Sequence, residues 1–263
     1  MKEILVIGAG NLSWHLVQVL QKAKFDVTLV TRNTERVADW PVRVQTLSDL
    51  SSNPYFIILA VPDDVIHQAS TELANYFPSK TPVVHTSGAT PTVMINSHFA
   101  SRGALWPIRS LRAGEPVTDW RDVPLVYHAT NAALAQVLSE VTAKLSDLTY
   151  PLDDTQRAKL HLSAVFSNNF VTWLYEISHQ LCTESNIPFE ILLPIIRNTA
   201  LKQNGASPSF SQTGAAARGD QATMNRHLHL LARHPEYAHL YQFMSSTIQA
   251  GLAHKTRPQE PES

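Results

Sequence analysis

The turn Gly8-Ala9-Gly10-Asn11-Leu12-Ser13 constrains this chain more than any other stretch. Before it, Ile4, Leu5, Val6 and Ile7 form a short apolar run with β-branched residues, the texture of a strand buried on both faces. After it, Leu12, Leu16, Val19, Leu20 and Ala23 recur at helical spacing, and Val27 to Thr31 reads as a second strand. The turn fits G-x-G-x-x-G/A with Ser13 in the last small position. In that pattern Gly8 allows the tight turn, Gly10 lets a diphosphate approach the backbone, and the small Ser13 keeps helix against sheet. Free N–H groups at the helix start face the anion. Its place between two strands and a helix predicts dinucleotide binding, with Gly8, Gly10, Asn11 and Leu12 at the cofactor, over a plain strand–turn–helix.

The end of the second strand indicates which dinucleotide. An NAD site places an acid roughly 20 residues past the glycines, on the ribose hydroxyls. Here the chain reads Thr31-Arg32-Asn33, and Asp26 lies at the wrong end of the strand. A carboxylate would repel a 2′-phosphate, whereas a hydroxyl, a guanidinium and an amide all donate to it. The residues predict NADP(H) over NAD(H); the alternative is that Arg32 is a solvated loop cation.

At 263 residues the chain exceeds one typical domain, and two are expected. With 44% hydrophobic residues and 16% charged, it can bury ordinary cores. Lys and Arg total 21 against 22 Asp and Glu, so nothing in the charge balance points to nucleic acid or a membrane surface. Cys182 stands alone, which excludes an intrachain disulfide, fits a reducing cytoplasm and reads as a helix-packing residue. No apolar run approaches the roughly 18 residues of a membrane span. The first strand starts at once, leaving no room for a signal peptide. The polar stretch 255–263, with its two prolines, reads as a flexible tail.

Farther along, a strand is expected near Val42 to Leu47, and Tyr55 to Val61 is a central buried strand ending in Pro62-Asp63-Asp64. Val65 to Tyr76 is an amphipathic helix, and Pro82 to Thr86 a strand closing on Ser87-Gly88. Gly103 to Ile108 and Val123 to His128 read as further strands, with a helix over Ala132 to Leu145 before Tyr150. From Asp153 only helices follow, at about 155–184, 188–203, 218–233 and 236–253, with Asp153 and Gln156 as a capping box. The fold class is α/β: a Rossmann-type doubly wound parallel sheet over 1–152, then an all-α domain over 153–254. In such sheets ligands sit beyond the carboxyl ends of the strands. Gly8 to Ser13, Thr31 to Asn33, Ala60-Val61-Pro62-Asp63 and His85 to Gly88 all lie there, which adds Ala60, Val61, Pro62 and Ser87 to the cofactor candidates.

Helix 155–184 carries Lys159, His161, Asn168, Asn169 and Thr172. At about 100° per residue, Asn168 lies about 20° from His161 and Asn169 about 80° to the other side. Phe166, Phe170, Trp173, Leu174, Ile177 and Leu181 cover much of the remainder, so the helix reads as buried and its polar groups need partners. A nicotinamide and substrate would supply them, as would an interhelical or dimer-interface network. Hydride transfer to a carbonyl or imine needs a proton donor, and imidazole titrates near neutral pH. His161 and Asn169 are therefore the catalytic candidates, against a satisfied core histidine and a paired amide. Lys159, roughly 160° away, belongs to a solvated face.

Ser87 sits where the nicotinamide ring should arrive and is a candidate for substrate or carboxamide, against a turn-forming Ser-Gly. The stretch Gln212 to Asp220 is either a lid or a loop with a helix cap. His227 and His229 project about 200° apart on one helix, and neither HExxH nor a second cysteine occurs. No metal is expected.

Six stretches resemble a known family: GAGNLSWHL (8–16), LAVPD (59–63), HTSG (85–88), GALWPIRSL (103–111), HLSAVFSNNF (161–170) and QTGAAARGD (212–220). It is a family of predicted short-chain-length dehydrogenases, with a Rossmann-like NADP-binding domain before a helical C-terminal domain of unknown function. The chain is also distantly similar to pyrroline-5-carboxylate reductase, the deazaflavin-dependent NADP reductases and the 3-hydroxyacid dehydrogenases. The resemblance implies a homodimer made by the helical domain and a polar residue of its first long helix facing the nicotinamide, at His161 or Asn169. Two positions depart from the pattern: Arg109 stands where Gln is expected, and Ala215 where Pro is usual.

The expected activity is NADP(H)-dependent oxidation or reduction of a small carbonyl, imine or hydroxy acid at the cleft between the domains. The alternative is a non-catalytic NADP(H) sensor or scaffold. A third reading, deazaflavin-to-NADP transfer, requires a second large planar pocket.

Overall fold

The computed structural model describes residues 2–50, 53–203, 205 and 207–256. The expected tail lies, beyond Thr256, outside the described residues. Among those described, eight strands form one sheet. β1 (Glu3–Ile7) sits between β2 (Asp26–Val30) and β4 (Phe56–Leu59), with β3 (Arg43–Gln45) outside β2. On the other side β5 (Val83–His85), β6 (Arg102–Pro107), β7 (Leu125–Ala129) and β8 (Thr149–Pro151) follow in order. The chain thus runs outward from β1 one way, returns, and runs outward the other way from β4. That reversal leaves a crevice beyond the carboxyl ends of β1 and β4, where such sheets take ligands.

The helices fall on both faces because each strand alternates. Ile4, Val6, Phe56 and Ile58 turn to a core shared with α1 (Asn11–Lys22) and α3 (Ala132–Leu145). Leu5, Ile57 and Leu59 turn to a second core with Ile66 and Leu73 of α2 (Ile66–Leu73), together with Ile95 and Phe99. All four residues of β4 are buried, as expected of a strand covered on both sides.

The sheet is mostly parallel, but β7 pairs antiparallel with β6. A parallel return needs a crossover, usually a helix; the stretch 108–124 contains none, and the chain comes back beside the strand it has just left.

After β8 only helices follow. α4 (Asp154–Ala164) starts at the expected capping box, Asp153 accepting from the Gln156 N–H at 2.8 Å and Gln156 from the Asp153 N–H at 3.0 Å. A π-helical turn (Val165–Asn169) leads into α5 (Phe170–Glu184), so the long helix expected over 155–184 is interrupted in its middle. Beyond a 3₁₀ turn lies α6 (Leu193–Leu201), and then α7 (Ala215–Arg218), α8 (Gln221–Leu230) and α9 (Pro235–Thr256). The helix expected over 218–233 is two elements. Gly219, left-handed at φ +69°, ends α7, and Asp220 starts α8 by accepting from the Thr223 N–H at 3.0 Å.

The chain forms two compact units, Met1–Phe170 and Val171–Ser263. The expected boundary at 152/153 marks where strands stop; α4 and the π-turn belong to the sheet unit. The long helix, expected to be buried by cofactor, neighbouring helices or a dimer interface, carries exposed apolar residues in the single chain. Phe166, Phe170 and Trp173 are 62%, 51% and 56% exposed in the single chain. Among the described residues no helix is long and apolar enough to cross a membrane, and no group of three acidic, histidine or cysteine side chains is placed to hold a metal. His227 and His234 instead bond Tyr241 and Glu184, both at 2.8 Å.

Candidate functional site

At the carboxyl end of β1 the backbone turns sharply, with Gly8 at φ +107°. A Cβ there would run into the Ala60 carbonyl, so the residue must be glycine for two reasons. Gly10 caps α1, has open space where a side chain would be, and offers no side-chain cap of its own. The first N–H groups of α1 are therefore free to meet an anion. Ser13 is fully buried and donates to the Ala60 carbonyl at 3.5 Å, which is how a small residue holds helix against strand end.

A cavity of about 360 Å³ opens beside this turn, and Gly8, Thr31, Arg32, Val61, Pro62 and Glu72 are among its walls. Five cofactor candidates thus come together at one place. Arg32 donates to Glu72 at 2.7 Å, with 81% of its side chain exposed. Asn33 is outside this lining; its side chain accepts from the Arg36 N–H at 3.1 Å. The Asn11 side chain is also occupied, taking the Ala113 N–H at 3.1 Å and tying the 108–124 segment to α1. Beside it His15, buried, bonds the Arg112 carbonyl through Nε2 at 2.9 Å. Leu12 packs against the core, leaving its backbone to the turn.

The second part of the site is the turn after β5. Ser87 is buried, its hydroxyl 2.6 Å from an Asp63 carboxylate oxygen while accepting from the N–H groups of Ala89 and Thr90 at 3.1 and 2.9 Å. These bonds make that hydroxyl part of the turn. The next residue, Gly88, matters for its missing side chain: a Cβ would lie 2.5 Å from His161 Cδ2 and 2.7 Å from Trp106 Cε2. The imidazole lies on the bare glycine, with its ring centroid 5.4 Å from that of Trp106.

α4 meets this turn through three residues at i, i+3 and i+7, which share one helix face. Asp154 accepts from the N–H and hydroxyl of Thr92, both at 2.9 Å. Arg157 donates to the Thr90 carbonyl, and His161 lies on Gly88. Successive helical turns thus engage positions 92, 90 and 88. The Arg157 guanidinium is completely buried and stands 2.8 Å from Asp154, a contact of charges outside hydrogen-bond alignment. Burial pushes the Asp154 carboxyl up, but the Thr92 bonds and Arg157 outweigh it and hold it below its ordinary value. His85, also buried, accepts from the Ser87 N–H through Nδ1 at 3.2 Å, and its Nε2 has no partner among the described residues. Burial and then the Arg157 charge lower it to about 4, so it is neutral at pH 7.

His161 has no hydrogen-bond partner among the described residues and lines a cavity of about 630 Å³ with Trp106, Arg109, Ser110, Asn168 and Asn169. Asn168 donates to Ser110 Oγ at 2.9 Å. The π-turn explains why both asparagines reach this wall: its slower rotation per residue turns Asn169 back toward the His161 side of a straight helix. Sequence reasoning named His161 and Asn169 but missed Trp106, His85, Asp154 and Arg157. The signal for the last two was present in their helical spacing to His161.

A reversing sheet, a glycine turn into an uncapped helix and a polar cavity at the strand ends define the fold of the NAD(P)-dependent oxidoreductases. Residues 123–248 match a family model described as a domain of unknown function, DUF2520. Among solved structures, a protein from Bacteroides fragilis, described as a proposed NADP oxidoreductase, is 28% identical over 95% of this chain and 98% of its own, with a TM-score of 0.86. Protein TM1727 from Thermotoga maritima is 17% identical over 97% of this chain and 100% of its own, at 0.71. An imine reductase from Myxococcus stipitatus, solved with NADP+, is 16% identical over 95% and 94%, at 0.66. No protein of curated function matches the chain.

Proposed function

We propose that this chain is an NADP(H)-dependent oxidoreductase acting on a small carbonyl, imine or hydroxy acid. The observation that carries the reading is His161, without a hydrogen-bond partner among the described residues and lying on Gly88 at the carboxyl end of the sheet, beside a polar cavity. The cofactor fits the residues present: a turn that only glycine can make, free N–H groups at the start of α1, and a cavity walled by Thr31 and Arg32. Bound there, NADPH supplies hydride from its nicotinamide. His161 supplies the proton to the oxygen or nitrogen of the reduced bond and recovers it from solvent. Asn169, on the same wall, orients substrate or carboxamide. Trp106 and Gly88 hold the imidazole in place and keep water from one of its faces.

The exposed apolar residues Phe166, Phe170, Trp173, Ile191, Ile195 and Phe243 support a homodimer through the helices, which sedimentation of the purified chain checks.

The functional reading is tested by titrating NADPH and NADH calorimetrically, then following NADPH consumption across carbonyl and imine compounds. Tight NADPH binding, turnover of at least one compound and its loss in His161→Ala are expected. Tight binding without turnover hands the site to the second reading, a nucleotide sensor. No binding of either nucleotide overturns both.

A further inference from the structure

On the wall of the cavity that His161 lines, Arg109 carries an exposed cation on a fixed stretch of backbone. Arg109 follows the end of β6 on a fixed backbone: the Ile108 N–H donates to Pro124 at 2.9 Å and the Arg109 N–H to Pro107 at 3.2 Å. The next residue, Ser110, receives the Asn168 amide at 2.9 Å, which joins this stretch to the π-turn. Every lining residue lies between Trp106 and Asn169, within one compact unit. Yet among the described residues the Arg109 guanidinium makes no hydrogen bond or ion pair. Asp122 stands on the same lining without pairing with it. Arg32 pairs with Glu72, Arg43 with Glu3 and Asp26, Arg121 with Asp147 and Arg157 with Asp154, whereas Arg36 and Arg112 share with Arg109 the lack of a side-chain partner among the described residues; what sets Arg109 apart is its place on the lining of the His161 cavity.

We infer that Arg109 is the anchor for a carboxylate, so that the substrates are small carbonyl or imine compounds bearing an acid group. This rests on the oxidoreductase reading and narrows it. A guanidinium offers a planar fork of donors that matches two carboxylate oxygens, and it remains charged at any working pH. Fixing one end of a short substrate on Arg109 leaves the reducible carbon to lie toward His161, which supplies the proton as hydride arrives at that carbon. Ser110, Asn168 and Asn169 line the space between with donors and acceptors. Asp122 disfavours a second negative charge, which fits a monocarboxylate better than a dicarboxylate.

The test uses the full chain saturated with NADP+ and two probe pairs, oxamate against oxamide and levulinate against ethyl levulinate. Each pair keeps the carbonyl and differs in the acid. Calorimetry should show at least one carboxylate binding about tenfold or more tightly than its neutral counterpart, and Arg109→Gln should abolish that difference. Arg109→Lys, which retains charge without the fork, should keep part of it. Asp122→Asn should strengthen carboxylate binding. Equal affinities within both pairs, binding of no probe, or a difference that survives in Arg109→Gln overturns the assignment. Nucleotide binding, measured first in the same cell, keeps the outcomes apart. If NADP+ does not bind, the oxidoreductase reading fails; if it binds and the carboxylates are not preferred, only the role of Arg109 fails.

Discussion

His161 occupies the space that a side chain on Gly88 would need, with its Cδ2 2.5 Å from where that Cβ would be. Glycine is required here by a neighbour, not by its own backbone, since φ at this residue is not left-handed. Gly88→Ala should therefore fold but push the imidazole away and crowd Trp106. The expected cost is about 1–3 kcal/mol of stability and, on the proposed role of His161, a loss of turnover of roughly tenfold or more. In the double variant Gly88→Ala, His161→Ala part of the stability should return, because the more flexible partner of the clash is gone. Urea melts of wild type, both singles and the double measure this; additive effects would show that the two residues do not touch.

Asp154 and Arg157 hold α4 to the turn over Thr92 and Thr90, and through it set the height of His161. Replacing Arg157 by Leu leaves Asp154 without its cation next to a buried wall. A loss of about 3 kcal/mol is expected, the low end for a broken buried pair because Asp154 stays partly exposed. Adding Asp154→Leu should recover a good part of it, as apolar replacements of buried pairs often do. A double variant less stable than Arg157→Leu alone would mean that Asp154 works mainly through Thr92.

His85 makes the fold sensitive to acid. Its pKa is held near 4 in the folded chain against an ordinary 6.5, first by burial and then by Arg157. Between those values the unfolded chain binds a proton that the folded chain refuses, so stability falls as pH drops through this window and is complete above it. The full span corresponds to about 3 kcal/mol. Asp154 acts in the same direction lower down: its depressed carboxyl contributes above its unfolded value and is lost as pH falls through the folded one. Replacing His85 by Asn, whose side-chain oxygen can accept the Ser87 N–H, should flatten the slope of melting temperature between pH 6.5 and 4. An unchanged slope would falsify the assignment of acid sensitivity to His85.

The sheet was legible because its strands are short apolar runs that end in recognisable turns. Gly8 to Ser13, Ala60 to Asp63 and His85 to Gly88 announced their places, and the capping box at Asp153 fixed where α4 starts. What escaped depends on tertiary packing. The π-turn over Val165–Asn169 has no Pro or Gly to mark it, so its rotation of Asn169 could not be read from a uniform helical angle. The antiparallel return of β7 depends on a loop that lacks a helix rather than on any residue within the strand. Ser87 looked like a ligand donor because its competing partners, Asp63 and the Ala89 and Thr90 amides, become neighbours only in the folded turn. Phe166 and Trp173 looked buried because an all-round apolar helix usually is, whereas both are exposed in the single chain.

On the proposed cofactor site, Arg32 and Glu72 are expected to act on nucleotide preference as opposed terms. The pair is exposed enough, at 81% and 42% of the two side chains, that its contribution to folding is within about 1 kcal/mol and neither single variant should change the melting temperature measurably. Its effect on the ligand is different, because both residues wall the cavity beside the glycine turn. A 2′-phosphate there would draw the guanidinium away from the carboxylate, gaining charge-assisted bonds while meeting a like charge at Glu72. Arg32→Ala should weaken NADPH binding by about tenfold and leave NADH nearly unaffected, since a plain ribose hydroxyl has little use for the cation. Glu72→Gln removes the competitor and should strengthen NADPH severalfold, with the gain shrinking as salt rises. Calorimetric titrations of the three proteins with both nucleotides decide it. Equal weakening of NADPH and NADH in Arg32→Ala, or tighter NADH than NADPH in the wild type, would remove Arg32 from the recognition of the phosphate and return it to a solvated surface charge.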